Sequence, residues 1–252
     1  MPDTLVIQSH RSPLPYSWIE HCIESVRRWS SLNQFDYQFL NDELFEFMPG
    51  DLLHKAGDQR VIASDLARLI LLQEKLVSGY ERVVWLDADF LIFDPENFVL
   101  PNESYAVGRE VWVQYDRENN LKVYKKVHNA FLMFRKGNTF LPFYTETAER
   151  LLRQNEGGIP PQFIGPKLLT ALHNVSQLPV MEVAGMLSPL VVKDIVAGGG
   201  PSLALFAAES PSPVSGTNLC ISSCDRGELA GTELEKLVSI LLSNSGSTFS
   251  QD

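Results

Sequence analysis

The sequence predicts an α/β domain, a sheet covered by helices, and three observations predict it. The first is a strand–helix–strand opening between Thr4 and Leu40. The second is a long apolar helix pattern from Leu66 to Val77 that leads through Gly79 into the dense strand signal Arg82-Val-Val-Trp-Leu86. The third is a length of 252 residues at 44% hydrophobic and 21% charged, the ordinary mixture for one substantial core.

Each element follows from local chemistry. Thr4 to Ile7 is a short run of strand formers that gives way to the polar stretch Gln8–Pro13, closed by prolines. Trp18, Ile19, Cys22, Ile23, Val26 and Trp29 recur at helical spacing, and Phe35, Tyr37 and Phe39 then alternate as a second strand. Ser64-Asp65 is positioned to cap the next helix, whose face is Leu66, Leu69, Ile70, Leu72, Leu76 and Val77, with Gly79 at its C-terminal cap. After Leu86 the acids Asp87 and Asp89 interrupt the apolar run, which resumes at Phe90-Leu-Ile-Phe93. Tyr105–Tyr115 and Ala130–Phe134 read as strands, and Phe140–Gln154 and Leu168–His173 as helices. Beyond Ser188 the texture turns small and irregular, which predicts loops and a closing helix from Leu234 to Leu242. One domain over 1–242 with a flexible tail over 243–252 is the expected organisation.

Composition narrows the function classes. Thirty-one acidic against twenty-one basic residues, a net charge of −10, argues against a broad grip on nucleic acid. Three cysteines, Cys22, Cys220 and Cys224, make neither a disulfide framework nor a zinc set. No basic-then-apolar leader opens the chain, and no apolar run approaches membrane-spanning length. A cytoplasmic protein without an integral membrane segment is expected.

Two constellations carry candidate chemistry. Asp87 and Asp89 are carboxylates at i and i+2 on a strand end, where both side chains share one side and converge on a hard cation. Ordinary turn aspartates are the competing explanation. The apolar frame on both sides, Val83–Leu86 and Phe90–Phe93, favours function. Asp65 and Arg68, three apart on one helix face, form either an intrahelical ion pair or a shared ligand site near a helix N-terminus. The tryptophans Trp18, Trp29, Trp85 and Trp112 are most simply core residues, with stacking of one of them on a nucleobase or sugar ring as the alternative, and the histidines fit no spaced metal set.

Arg60, Ala63-Ser-Asp-Leu-Ala-Arg-Leu69, Gly79-Tyr80 and Trp85-Leu-Asp-Ala-Asp89 together resemble the core of the DXD-motif glycosyltransferases, a sugar-binding-region group that includes the glycosyltransferase family 32 enzymes and, more distantly, clostridial toxin glucosyltransferase domains. Trp18-Ile-Glu20 with Ser25-Val26, then Asp36–Asp42, His128-Asn-Ala-Phe131 and Ile164–Thr170 extend the likeness over roughly residues 4 to 175. The resemblance implies a GT-A fold, Rossmann-like, with a mixed, mostly parallel sheet flanked by helices. It also implies a nucleotide-sugar donor (a UDP- or GDP-sugar), an unknown hydroxyl acceptor, Mn2+ or Mg2+, and hexosyl transfer with retention. Carried onto this chain, Asp89 holds the metal directly and Asp87 contacts metal or ribose. Asp65 and Arg68, beside Ser64, face the donor's sugar and diphosphate, and Asn129 lies near the transferred sugar. Gln8, Ser9 and His10 flank base or ribose, and Asp89, Arg68 and Asn129 make up the catalytic set.

One departure stands out: the family often completes its site with a C-terminal histidine or tryptophan-rich segment, where this chain has Ser215–Cys220. Asn218 or a neighbour substitutes, or the metal is held more loosely, or activity is weakened. The rivals are a catalytically silent nucleotide- or sugar-binding module and a sugar nucleotidyltransferase, although Gly198–Gly200 comes too late to be the latter's phosphate loop. A glycosidase is disfavoured, because acids two apart hardly flank a sugar from opposite sides.

Overall fold

The computed structural model describes residues 3–244 and Phe249. Strands β1 (Thr4–Ser9), β2 (Asp36–Leu40) and β3 (Arg82–Leu86) form a parallel group in the order β2-β1-β3. The long antiparallel hairpin β5 (Tyr105–Tyr115) and β6 (Leu121–Arg135) extends it through β6, and β7 (Val180–Met181) closes the far edge. Three of the five pairings are parallel, so the sheet is mixed and mostly parallel, as the family resemblance implies. A second, three-stranded sheet joins β4 (Phe90–Ile92), β8 (Ala184–Met186) and β9 (Gly216–Asn218) in the order β4-β9-β8.

The two faces of the main sheet follow from the period of two along each strand. Leu5 and Ile7 on β1 and Val83 and Trp85 on β3 pack with Leu66, Leu69 and Leu72 of helix α3 (Arg60–Val77). Val6, Val84 and Leu86 face the other way, onto Val26 and Trp29 of helix α1 (Trp18–Leu32). Helix α2 (Gly50–Ala56), helix α4 (Phe140–Gln154) and helix α5 (Pro166–Ser176) complete the α3 side. A third cluster joins the N-terminal half of α1 to α6 (Pro189–Ala197), α7 (Pro201–Glu209) and α9 (Gly231–Asn244), with the short α8 (Ser222–Asp225) between α7 and α9.

Several expectations are corrected here. Helix α3 begins at Arg60, so Ser64 and Asp65 lie in its second turn and cap nothing; the Ser64 hydroxyl bonds back to Val61 O at 3.0 Å. The acids Asp87 and Asp89 do not interrupt one strand. They form the turn by which the chain leaves the main sheet at Leu86 and enters the small sheet at Phe90, closed by Phe90 N donating to Asp87 O at 2.9 Å. The region after Ser188 is mostly helix. The pattern is hard to read because the exposed positions of α7, Pro201, Ala204 and Ala208, are as apolar as its packed ones, so the wet face carries no polar signal. The closing helix runs to Asn244, and Phe249 is buried against Phe93 and Phe206 where a loose tail was expected; the rest of that tail, 245–248 and 250–252, lies outside the described residues. Among the described residues no single helix is long and apolar enough to cross a membrane, and α6 with α7 would pass only as a pair bent by 116°.

The hairpin leaves the main sheet at a bulge between Val107 and Gly108. Gly108 has a steric reason: a methyl group there would fall on the ring of His128, its partner across the strands. That ring cannot swing aside. It is fully buried, its Nε2 is 3.1 Å from Ala184 O, and Ala130 N donates to its Nδ1 at 3.2 Å. Gly108→Ala is therefore expected to lower the unfolding free energy by about 1–3 kcal/mol through overpacking. A urea midpoint equal to that of the parent chain would show that the hairpin yields freely.

Candidate functional site

The helix connecting β1 to β2 lies on one face of the sheet and the helix connecting β2 to β3 lies on the other. The carboxyl ends of β1 and β3 therefore border the crevice where crossovers of opposite sense diverge, the place where open α/β sheets bind ligands. Here it is a cleft of about 1060 Å³, bordered by Ser9 and His10 after β1, Asp87 and Asp89 after β3, and Ser64, Asp65 and Arg68 of α3. Its volume is at the upper end of the range for small-molecule sites.

Arg68 is the hub of the floor. Its Nη1 donates to Asp87 Oδ1 at 2.9 Å and to the backbone oxygen of Asn129 at 3.0 Å, its Nε to Ser64 O at 3.2 Å, and its Nη2 to Ser64 Oγ at 3.4 Å. Nη2 also pairs with Asp65 Oδ1 at 3.2 Å, and the guanidinium lies over the Trp85 ring, 4.9 Å from its centroid. Only 6% of the Arg68 side chain is exposed. Arg68 borders the cleft, and its nitrogens bond Asp65, Asp87, Ser64 and Asn129, so it positions carboxylates. The 60-to-64 shift in the helix start removes the helix N-terminus from this spot.

Gln8, expected beside a base or ribose, does not border the cleft. It is fully buried, its Nε2 donates to Asp87 O at 3.0 Å, and its Oε1 accepts from Tyr37 OH at 2.9 Å. One end of the amide holds the Asp87 turn and the other is held by Tyr37 of β2. Ser9 and His10, by contrast, are half-buried and border the cleft. Asn129 donates from Nδ2 to Asp65 Oδ1 at 2.8 Å, and the remaining carboxylate oxygen, Oδ2, is buried with no hydrogen-bond partner among the described residues. Gly165 lies against that carboxylate, where a Cβ would collide with it, which is the physical reason for glycine before Pro166.

The two turn acids are held differently. Asp87 Oδ1 accepts from Arg68 and from Trp85 Nε1 at 2.7 Å, and 29% of the side chain is exposed. Asp89 is buried; Asn218 Nδ2 donates to its Oδ1 at 2.7 Å and Ile221 N to its Oδ2 at 2.8 Å. Burial first, then the charge of Asp87, pushes the Asp89 carboxyl upward, and the bonds from Ile221 and Asn218 pull it back. Asn218, one of the candidates for the missing C-terminal ligand, turns its amide donor to Asp89 while its Oδ1 accepts from Cys220 N at 2.9 Å.

Two carboxylates, Asp65 and Asp87, thus converge on one buried guanidinium, while Asp89 is held separately by Asn218 and Ile221. The Asp87 and Asp89 oxygens are the hard donors a divalent cation takes, but Asp87 Oδ1 and both Asp89 oxygens already accept protein hydrogen bonds. No group of three or more His, Cys, Asp or Glu side chains able to hold a metal exists among the described residues. Arg11, Lys126, Lys167 and Arg226 also border the cleft. Sequence reasoning did not single them out, because isolated basic residues carry no spacing signal.

His128 and Asp65 give the molecule opposing responses to acid. Burial pushes the His128 ring from 6.5 down to about 4, so between those values the unfolded chain takes up a proton that the folded chain refuses, and stability is lost as the pH falls. Burial pushes the Asp65 carboxyl from 3.8 up to about 6, so there the folded chain keeps a proton that the unfolded chain releases, and acid stabilises it. From pH 7 to pH 5, His128 costs about 2 kcal/mol and Asp65 returns about 1 kcal/mol. His128→Gln should therefore gain about 2 kcal/mol relative to the parent chain over that interval, whatever its absolute stability. Parallel pH profiles for the two proteins would remove His128 from this account.

No protein-family profile and no curated protein matches the sequence. Among solved structures the chain is similar to a glycosyltransferase involved in glycosylation of the major capsid of PBCV-1, at 11% identity over 94% of this chain and 98% of that one, with a TM-score of 0.47. It is also similar to the galactosyltransferase LgtC in complex with donor and acceptor sugar analogs (12% identity, 94% and 95% covered, TM-score 0.46) and to mouse xyloside xylosyltransferase 1 (11%, 86% and 97%, TM-score 0.45). Likeness at this level identifies no activity, and the side chains of the cleft have to carry the functional reading.

Proposed function

We propose that the chain is a metal-dependent glycosyltransferase that moves a sugar from a UDP- or GDP-sugar to a hydroxyl acceptor. The observation that carries this reading is the Asp87/Asp89 turn at the crevice where the crossovers diverge, with both residues bordering the cleft of about 1060 Å³. Asp87 and Asp89 would hold Mn2+ or Mg2+, which when bound would supply positive charge beside a departing nucleoside diphosphate. Arg68, Trp85 and Gln8 keep the turn in place, through the Asp87 carboxylate and backbone oxygen. Ser9 and His10 are placed to flank the base or ribose, and Arg11 and Lys167 are cations of the cleft border placed to meet phosphate charge, whereas Arg226 is already paired with Glu228. Asp65 and Asn129 form the floor beneath the transferred sugar, and Asn129 stays rigid because its side chain donates to Asp65 and its backbone accepts from Arg68. Hexose preference and retention follow from the family resemblance alone.

A second reading, a nucleotide- or sugar-binding module without turnover, is favoured by one observation: both Asp89 oxygens already accept protein donors, and the nearby Asn218 offers an N–H instead of a ligand. The nucleotidyltransferase reading lacks its loop, since Gly198–Gly200 joins α6 to α7 and does not border the cleft. A panel of UDP- and GDP-sugars incubated with Mn2+ separates the first two. Release of nucleoside diphosphate from one donor, abolished by EDTA, is the expected result. Binding of a nucleoside diphosphate without release from any donor would establish the silent module.

A further inference from the structure

Beyond the bulge at Gly108 the β5–β6 hairpin alternates cleanly. Val111 and Val113 are buried, with Leu121 and Val123 beside them, against the cluster that contains Val191 and Phe206. The opposite face presents Glu110, Trp112, Gln114, Tyr124 and Lys126 to the same cleft that contains Asp87 and Asp89. A strand face turned to solvent is expected to be polar throughout. Instead Trp112 and Tyr124 stand directly opposite each other across the two strands, and Tyr124 is 38% exposed. Trp112 is thus the exception among the four tryptophans, all of which the sequence pattern places most simply in the core; Trp18, Trp29 and Trp85 are 1%, 1% and 2% exposed.

Polar groups frame the two rings. Trp112 Nε1 donates to Gln114 Oε1 at 3.1 Å, Lys126 Nζ lies 5.9 Å from the Tyr124 ring centroid, and Glu110 is the cross-strand partner of Lys126. Aromatic faces ringed by an amide, a carboxylate and an ammonium suit a ligand with an apolar C–H face and a periphery of hydroxyls. The position in the sheet excludes the donor's base. In the order β2-β1-β3-β6-β5, the Asp87 turn at the end of β3 separates the β1 end, with Ser9 and His10, from the hairpin.

We propose that Trp112 and Tyr124 form a saccharide-binding platform, the acceptor side of the cleft, on which a sugar ring stacks while Glu110, Gln114 and Lys126 bond its hydroxyls. The assignment to an acceptor rests on the transferase reading; the binding of a saccharide does not.

Acrylamide quenching of tryptophan fluorescence in the intact chain tests it, because Trp112 is the tryptophan that the quencher reaches. Maltose, lactose and cellobiose are titrated separately, followed by UDP and GDP with Mn2+. At least one disaccharide should shield the fluorescence, Trp112→Phe should abolish that protection, and Tyr124→Ala should weaken it by about tenfold. Both substitutions lie on an open strand face, and circular dichroism confirms that each variant is folded. Shielding by none of the three sugars overturns the proposal. So does shielding by a nucleoside diphosphate that Trp112→Phe removes, which would assign the rings to the donor's base. A chain that binds a disaccharide here but releases no nucleoside diphosphate keeps the platform and loses the transferase reading. Release without any shielding by a sugar has the opposite meaning.

Discussion

Replacing Arg68 with methionine should lower the unfolding free energy at pH 7 by about 3–5 kcal/mol, the cost of breaking a buried ion pair from one side. The methionine fills much of the same volume, so the loss is mainly electrostatic. Asp65, whose side chain is 2% exposed, would keep only the bond from Asn129, and Asp87 only the bond from Trp85 on its Oδ1. The deficit should shrink at pH 5, because the Asp65 carboxyl, already raised to about 6 by burial, rises further without its guanidinium and takes up a proton. The double variant Arg68→Met/Asp65→Asn should recover part of the loss. Equilibrium denaturation of the three chains at both pH values measures this, and an Arg68→Met midpoint close to the parent's would show that the network carries little energy.

Asp89→Asn should reduce nucleoside diphosphate release on the order of 10²–10³-fold on the proposed reading, the scale of removing one electrostatic contact to a developing charge. The substitution is nearly isosteric but not neutral. Asn218 Nδ2 and Ile221 N both donate to the Asp89 carboxylate, and an amide offers one acceptor oxygen for two donors. Asn218 cannot simply turn over, because its Oδ1 accepts from Cys220 N. A stability loss of about 1–2 kcal/mol should accompany the kinetic effect. Calorimetry keeps the two apart: the folded variant should lose the Mn2+-dependent part of nucleoside diphosphate binding. Release per folded molecule equal to that of the parent chain would remove Asp89 from the metal site.

The elements read correctly from the sequence are those whose burial is one-sided or uniform over a long run. The helical stripe of α1 and the solid apolar run of β3 each report their own environment, whereas β2 was read from alternating residue types although all five of its residues are half-buried. The α6–α7 pair gave no such report. Its helices are short and apolar on most sides, and the carboxylate that caps the second, Asp194, lies eight residues before Ser202, whose N–H it accepts at 2.7 Å.

The candidate site divides along the same line. Asp87 and Asp89 were visible as a local pair in an apolar frame, and Asp65 with Arg68 as a helical pair, because residues two to four apart share a surface whatever surrounds them. What each group does was decided elsewhere in the chain. Arg68 reaches Asp87 nineteen residues on and Asn129 sixty-one residues on, Gln8 spans seventy-nine residues to the Asp87 oxygen, and Asn218 and Ile221 come back more than a hundred residues to Asp89. By itself the sequence determined which segments bury which faces and where carboxylates cluster. Only the tertiary structure decided which of these groups are spent on one another and which remain open to a ligand, since a hydrogen bond is made by proximity in space, and local spacing is silent about partners that distant.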